Sequence, residues 1–131
     1  MKKRIFLACL VGLLTATSAY SACDGGTEIT NTAGTTFCKS DVKLNWWSAA
    51  NWCKENEMHL ATMYEMCPNW DGNEGSDKCS ELNGTGGGYG WSSTAYGSEK
   101  AFYVNLSNGS VSNHSRNYDY DRYGDYYAFC R

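Results

Sequence analysis

The chain has 131 residues, with 42% hydrophobic and 15% aromatic side chains and a formal net charge of -3. This length favours a single domain. The acidic balance makes nucleic acid and anionic membrane surfaces poor partners, because both repel a negatively charged protein.

Residues 1–22 are typical of a secretory signal peptide. Residues 1–4 are basic, and residues 5–14 form an apolar run of about ten residues, which is too short to span a bilayer. Small residues follow at Ala19, Ser21 and Ala22, so we expect cleavage just before Ala22 or Cys23. The sequence therefore predicts a signal peptide over 1–22, a domain over 23–131, no membrane anchor, and a secreted or periplasmic location.

Acylation of Cys23, as in a lipoprotein, is the alternative for this N-terminus. The aliphatic residue expected three positions before the cysteine is missing, because Tyr20 stands there. Acylation would also leave five other cysteines, an odd number that cannot all pair. The sequence favours a cleaved signal peptide.

The cysteines and charges of the mature chain define its class. Removing the signal removes Cys9 and leaves six cysteines in about 109 residues, which indicates three disulfides formed in an oxidising compartment. No two of the six have C-x-x-C spacing and the chain has two histidines, so we expect no sulfur-based metal site. Without the three basic residues of the signal, eight basic residues face 14 acidic ones, a net charge of about -6.

The first half of the domain predicts a hairpin and two helices. The polar, turn-rich segment 23–38 reads as two short strands that a Cys23–Cys38 bridge would staple. Asn45 is a suitable N-cap for a helix over 46–57, whose apolar stripe is Trp46, Ala49, Ala50 and Cys53. Thr62 and Glu65 form a capping box for a short second helix, which Pro68 limits.

The second half predicts a long loop followed by strands. Residues 68–90 are almost all turn formers, and a loop of this length is either functional or flexible. A Cys67–Cys79 bridge would tie down its first half. Strands are predicted over 91–94, 101–106, 111–115 and 126–129, and Asn108-Gly109 is a strong hairpin signal.

Four segments together resemble the bacterial C-type lectin-like domains typified by the C-terminal domain of collagen-like surface adhesins. They are the helix pattern W-x-x-A-x-x-W-C ending at Cys53, Leu60-Ala61-Thr62, Trp91-Ser92-Ser93-Thr94 and the hairpin over 102–109. The resemblance covers 23–131 and implies an α+β fold, with two short helices packed on small antiparallel sheets, long loops and three disulfides. Its third disulfide joins Cys53 to Cys130, which completes one of 15 possible pairings.

The chain departs from that family in two places. Its end reads Ala-Phe-Cys-Arg where the bacterial family has Arg-Cys-x-Arg. It also lacks the Glu-Pro-Asn and Trp-Asn-Asp motifs through which calcium-dependent lectins hold sugar. Calcium-mediated sugar binding is therefore not expected.

Residues 112–127 carry five tyrosines, two arginines and no aliphatic side chain, the composition of an antibody paratope. The resemblance places this stretch on a ligand-facing surface, and retroelement-diversified bacterial proteins vary this region of the same fold. The alternative is a solvated hairpin whose tyrosines cover the core. We predict these ligand-binding residues: Trp91, His114, Arg116, Tyr118, Tyr120, Arg122 and Tyr123.

A calcium loop is a weaker possibility in the long loop. Asp71, Asn73 and Asp77 alternate oxygen ligands like the start of such a loop, but Leu82 stands where a bidentate glutamate is required. An acidic solvated loop is the favoured interpretation, and no cofactor is expected.

The sequence carries no arrangement that indicates catalysis. His59, between Met58 and Leu60, is expected to be a partly buried structural histidine, and no nucleophile-base motif is present. We therefore expect a secreted adhesion or recognition module that binds an extracellular protein or glycan. A disulfide-stapled structural or inhibitory envelope protein without a dedicated ligand is the alternative, and a secreted hydrolase comes third.

Overall fold

The computed structural model describes residues 23–117 and 126–131, so the predicted signal peptide lies outside the described residues. The described chain is an α+β protein with one six-stranded sheet of order β1-β2-β6-β3-β4-β5. The elements, in chain order, are β1 Gly26–Thr30, β2 Thr36–Lys43, α1 Trp46–Glu55, α2 Met63–Met66, a 3₁₀ turn Ser80–Leu82, β3 Tyr89–Tyr96, β4 Lys100–Asn105, β5 Val111–Ser115 and β6 Tyr126–Cys130.

The strand β6 makes the sheet continuous. It pairs antiparallel with β2, where Cys38 lies opposite Cys130, and parallel with β3, where Tyr89 lies opposite Tyr126. The prediction of separate small antiparallel sheets is wrong, because β6 uses both of its edges and joins the N-terminal hairpin to the β3-β4-β5 unit. The α+β class is confirmed.

The two faces of the sheet bury two separate clusters. Side chains alternate along a strand, so Tyr126, Ala128 and Cys130 pack with α1, whereas Phe129 packs in the other cluster with Phe37. Aromatic contacts reinforce both faces, including Phe37 with Phe129 at 4.9 Å between ring centroids.

Helix α1 begins at the predicted cap. The Asn45 side-chain oxygen accepts a hydrogen bond from the Ser48 amide at 2.9 Å, which satisfies one of the free N–H groups of the first turn. Ala49 and Cys53 are fully buried, while Ala50 is half-buried. The helix ends at Glu55, two residues before the predicted end, and Glu57 adopts a left-handed φ of 61° that stops it.

Helix α2 confirms the predicted capping box. The Thr62 hydroxyl accepts from the Glu65 amide at 3.0 Å, and the Glu65 carboxylate accepts from the Thr62 amide at 2.9 Å. His59 and Arg131 also lie on this carboxylate, at 3.0 and 3.3 Å. The His59 side chain is 58% exposed, so the prediction of a partly buried histidine is wrong, although its contact with Glu65 is structural.

These contacts shift the ionisation of Glu65. Partial burial by itself raises the pKa of this carboxyl, but the hydrogen bond from Thr62 and the hydrogen bond and charge of His59 outweigh it, with the charge of Arg131 adding to them. The pKa of Glu65 is therefore lower than its ordinary value, so the folded state favours the charged carboxylate.

The long loop between α2 and β3 is anchored to the rest of the protein at Trp70 and Cys79. Trp70 is 6% exposed, donates its indole N–H to the Asn73 carbonyl at 2.8 Å, and lies against Phe102 at 4.8 Å between ring centroids. The Cys79 amide donates to the Gly109 carbonyl at 2.9 Å, which ties the loop to the β4-β5 hairpin. No helix in the described part of the chain is long and apolar enough to cross a membrane.

The β4-β5 hairpin confirms the Asn108-Gly109 signal, although the connection is longer than a two-residue turn. The last strand pair joins Val104 to Val111, and the Asn105 amide closes the loop onto the Ser110 carbonyl at 2.9 Å. Gly109 has a φ of 74°, and a Cβ there would lie 2.6 Å from the Cys79 carbonyl oxygen. Glycine is required at this position by both backbone conformation and space.

All three predicted disulfides are confirmed. They join Cys23 to Cys38, Cys53 to Cys130 and Cys67 to Cys79. The Cys53–Cys130 bond connects α1 to the central strand, with both residues fully buried.

We expect Ala49→Asp to lower the free energy of unfolding by about 3 kcal/mol, because it buries an unpaired charge. The matched control is Ser48→Asp, on the exposed face of the same helix turn, where a carboxylate near the helix N-terminus is neutral or slightly stabilising. Urea denaturation of the two variants measures both effects. Equal stabilities would show that Ala49 does not lie in the core.

We expect removal of Cys53–Cys130 by double alanine substitution to cost more than removal of Cys67–Cys79. All four sulfurs are buried, so the difference reflects mainly the closed loops, whose sequence separations are 77 and 12. Loop entropy gives about 4.5 kcal/mol for the first and about 3 kcal/mol for the second. Denaturation curves of the two double variants measure this order, and a larger cost for the Cys67–Cys79 pair would contradict it.

Candidate functional site

Arg116 and two tryptophans form a patch at the start of α1. The guanidinium carbon of Arg116 lies 4.9 Å from the centre of the Trp46 ring and 5.7 Å from that of Trp47. These distances are in the range of cation-π contacts. We call Trp46, Trp47, Arg116 and Asn117 the indole-arginine patch.

Backbone contacts hold the arginine of the patch in place. Its amide donates to the Glu99 carbonyl at 2.9 Å, and its guanidinium donates to the carbonyls of Ser98 at 3.3 Å and Lys100 at 3.5 Å. Arg116 therefore fixes the β3-β4 turn as well as lying over the indoles. Its charge remains near a surface that a ligand can reach, because the side chain is only half-buried.

The two indoles differ in exposure. Trp46 donates its N–H to the Ser92 carbonyl at 2.8 Å and is half-buried, which fixes the start of the helix on β3. Trp47 packs edge-on against Trp46 and is 55% exposed, with its N–H 3.2 Å from the Asn117 side-chain oxygen. Trp47 is therefore a large apolar side chain held at the surface by a defined hydrogen bond.

Sequence reasoning missed Trp47, although a signal for it exists. The residue falls outside the apolar stripe of α1, so an amphipathic helix must place it toward solvent. A tryptophan that the helical period assigns to the exposed face is a candidate contact residue, since tryptophan is enriched at binding hot spots.

The structure corrects the assignment of Trp91. This residue is fully buried, donates its N–H to the Leu44 carbonyl at 2.9 Å and stacks on Tyr126 at 4.8 Å. It stands between the sheet and α1, so its ring is not available to a ligand at the surface. We remove Trp91 from the predicted binding residues and assign it to the core.

His114 lies on β5, opposite the buried Ala101, and therefore faces the α1 side of the sheet. Its Nδ1 accepts a hydrogen bond from the Ser115 amide at 2.9 Å, and its ring centre lies 6.5 Å from that of Tyr126. Partial burial lowers the pKa of His114, and the positive charge of Lys100 lowers it further. A neutral imidazole at neutral pH follows from both causes.

Four predicted binding residues, Tyr118, Tyr120, Arg122 and Tyr123, lie outside the described residues. Of the five tyrosines of the stretch, Tyr126 and Tyr127 are described. Tyr126 is buried, as the core-covering interpretation expects, and Tyr127 is half-buried with the Lys39 ammonium 4.3 Å from its ring centre.

In the candidate calcium loop, both carboxylate oxygens of Asp71 accept hydrogen bonds from groups of the loop itself. One Asp71 oxygen accepts from the Lys78 ammonium at 2.7 Å and the other from the Asn73 amide at 3.0 Å. The hydrogen bond from Lys78 is the main cause that lowers the pKa of Asp71, followed by that from Asn73. Asp71, Asn73 and Asp77 are all exposed, which suits an acidic solvated loop.

Within the described residues, one cluster of side chains has the composition of a metal site. It consists of Cys67, Cys79 and Glu81. Its two sulfurs are joined in a disulfide, so they offer no thiolate to a metal ion. The Glu81 carboxylate, which is 5% exposed, accepts from the Asn69 amide at 3.0 Å. We interpret the cluster as structural.

A shallow groove of about 370 Å³ runs along the exposed face of α1, beside the patch. Leu44 and Trp47 line one end of it, and Trp52 and Glu55 line the other. Trp47 borders both the groove and the patch. Indole faces, amides and single charges at a surface are suited to recognition of a ligand.

We expect Lys100→Gln to raise the pKa of His114 toward its ordinary value of 6.5, because it removes a nearby positive charge. In the wild type the unfolded chain binds this proton more readily than the folded one, so acidification below 6.5 disfavours the folded state until the folded pKa is passed. NMR titration of the His114 ring protons measures the shift. The exposed Lys54→Gln on α1 is the control, and equal titration of His114 in all three proteins would contradict the role of Lys100.

No family model, curated protein or solved structure matches this chain.

Proposed function

We propose that this protein is a secreted recognition module that binds an extracellular protein or glycan through the indole-arginine patch and the adjoining tyrosine-rich stretch. The observation that carries the proposal is Trp47, an indole 55% exposed and held by Asn117, a residue of that stretch. A large aromatic side chain already fixed in one orientation loses little entropy on binding. Tryptophan, tyrosine and arginine are also the residues enriched at hot spots.

Two further features support this proposal. The protein is rich in disulfides, which is compatible with an extracellular or periplasmic location. The sequence also resembles bacterial C-type lectin-like domains, in which the corresponding stretch faces the ligand. Diversification of that stretch belongs to the proposal, and sequencing the same locus in sister strains tests it.

A structural or inhibitory envelope protein without a dedicated ligand is the second candidate. Two observations favour this alternative. The Arg116 guanidinium already donates hydrogen bonds to the carbonyls of Ser98 and Lys100, and Tyr126 is buried. On this alternative the aromatic stretch completes the core and the indoles stabilise the chain.

We expect the purified protein to bind at least one member of a glycan array or of a panel of extracellular-matrix proteins, and Trp47→Ala to weaken that binding at least tenfold. Tyr120→Ala or Arg122→Ala is expected to weaken it about thirtyfold, the effect of losing about 2 kcal/mol. The melting temperature is expected to stay nearly unchanged in each variant. Biolayer interferometry and thermal melts give both readings.

Tyr64→Ala is the matched control, because Tyr64 is also 55% exposed but lies on α2. Equal loss of binding in Tyr64→Ala and Trp47→Ala, or no binding across both panels, would contradict the proposal. Thermal melts of Tyr118→Ala, Tyr120→Ala and Tyr123→Ala decide between surface and scaffold. A loss of about 3 kcal/mol or more in all three, as expected for buried aromatic rings, would favour the structural alternative.

A further inference from the structure

We propose that the groove along α1 binds an organic cation, namely an alkylammonium or quaternary ammonium group, between Trp47 and Trp52 and beside the Glu55 carboxylate. The inference names a chemical class for one part of the ligand. It rests on the proposed function only in that Trp47 borders both the groove and the indole-arginine patch.

The helix itself arranges the groove. Trp47, Asn51 and Glu55 follow one another at four-residue spacing, so they form a row along one face of α1. Ser48 and Trp52 form the neighbouring row, and Leu44 lies at its N-terminal end. The row that begins at Trp47 therefore ends in the Glu55 carboxylate, and Trp52 lies in the neighbouring row.

The charges along this groove favour a positive ligand. Glu55 is the ionisable side chain among the six residues that line the groove, and it is exposed. The Asn51 side-chain amide donates to one of its oxygens at 3.0 Å. No Lys or Arg in the part of the chain that the structure describes forms an ion pair with Glu55. Among the described residues, no cation therefore occupies ion-pair distance from this carboxylate.

The indoles reinforce the same preference. Tryptophan provides the most favourable aromatic face for a cation, and an ammonium group within about 6 Å of the ring centre is attracted to it. The neighbouring patch shows this with a group of the protein itself, since the Arg116 guanidinium lies over Trp46 and Trp47. The acidic balance of the mature chain adds long-range attraction for positive ligands.

A neutral sugar is the competing occupant, since its apolar face would also stack on an indole. It would leave the charge of Glu55 unused, and the Asn51 amide already donates to that carboxylate. A cation uses the indole faces and the carboxylate together. The observations therefore favour the cation, and a sugar becomes an outcome of the test.

The test is an NMR titration of the folded wild-type protein with choline, followed through the indole N–H signals. The neutral isostere 3,3-dimethylbutan-1-ol and methyl α-glucopyranoside are titrated in parallel. We expect saturable shifts of the Trp47 and Trp52 signals with choline at millimolar concentration, and at least fivefold weaker responses to both neutral compounds. Cation-π contacts and exposed ion pairs are each modest, which sets this range.

Three variants locate the site. Glu55→Gln is expected to weaken choline binding about threefold, whereas Glu57→Gln, which makes the same charge change outside the groove, leaves it unchanged. Trp47→Leu is expected to abolish saturation with little loss of stability, because the residue is 55% exposed.

Three results would overturn the inference: no saturable shift with choline at tens of millimolar, equal or stronger binding of the alcohol or the glucoside, or equal weakening by Glu55→Gln and Glu57→Gln. The proposed function is tested separately by the glycan and protein panels. Choline binding with no ligand in those panels would support the inference and contradict the proposed function. A ligand in the panels without choline binding would support the proposed function and contradict the inference.

Discussion

The strand β6 and its covalent bond to α1 are the constraint on which the rest of the structure depends. β6 pairs with β2 on one edge and β3 on the other, and its Cys130 is bonded to Cys53 in the helix. Phe129 faces one cluster while Ala128 and Cys130 face the other. This single five-residue strand thereby joins the two parts of the sheet, and its side chains contribute to the packing on both faces.

The position of the candidate site follows from this constraint. The Cys53–Cys130 disulfide holds α1 against β6, and the hydrogen bond from the Trp46 indole to the Ser92 carbonyl places the start of the helix on β3. With Trp46 fixed, the next residue, Trp47, has to project outward. Arg116 reaches the same place from the end of β5. The exposed indole is thus presented by rigid elements, which is the arrangement that precise recognition requires.

How much could be predicted from the sequence depended on the range of each interaction. The Asn45 cap and the Thr62-Glu65 capping box are local, and both were predictable. The single sheet was not, because the parallel pairing of Tyr89 with Tyr126 joins segments far apart in sequence and leaves no periodic signal. Trp91 was misassigned for a related reason: an aromatic residue on a strand suits a core or a surface, and only the packing of α1 decides. Trp47 could have been found from the helical period alone.

The central place of β6 also bears on when this chain can fold. Before Tyr126–Cys130 has been made, the remaining strands form two unconnected groups, β1-β2 and β3-β4-β5, and Cys53 has no partner. A two-stranded hairpin such as β1-β2 is by itself marginally stable at best. This hairpin is therefore expected to take its place in the sheet only after β6 emerges. Synthesis of this one strand would then decide when the sheet and its disulfide to α1 can be completed.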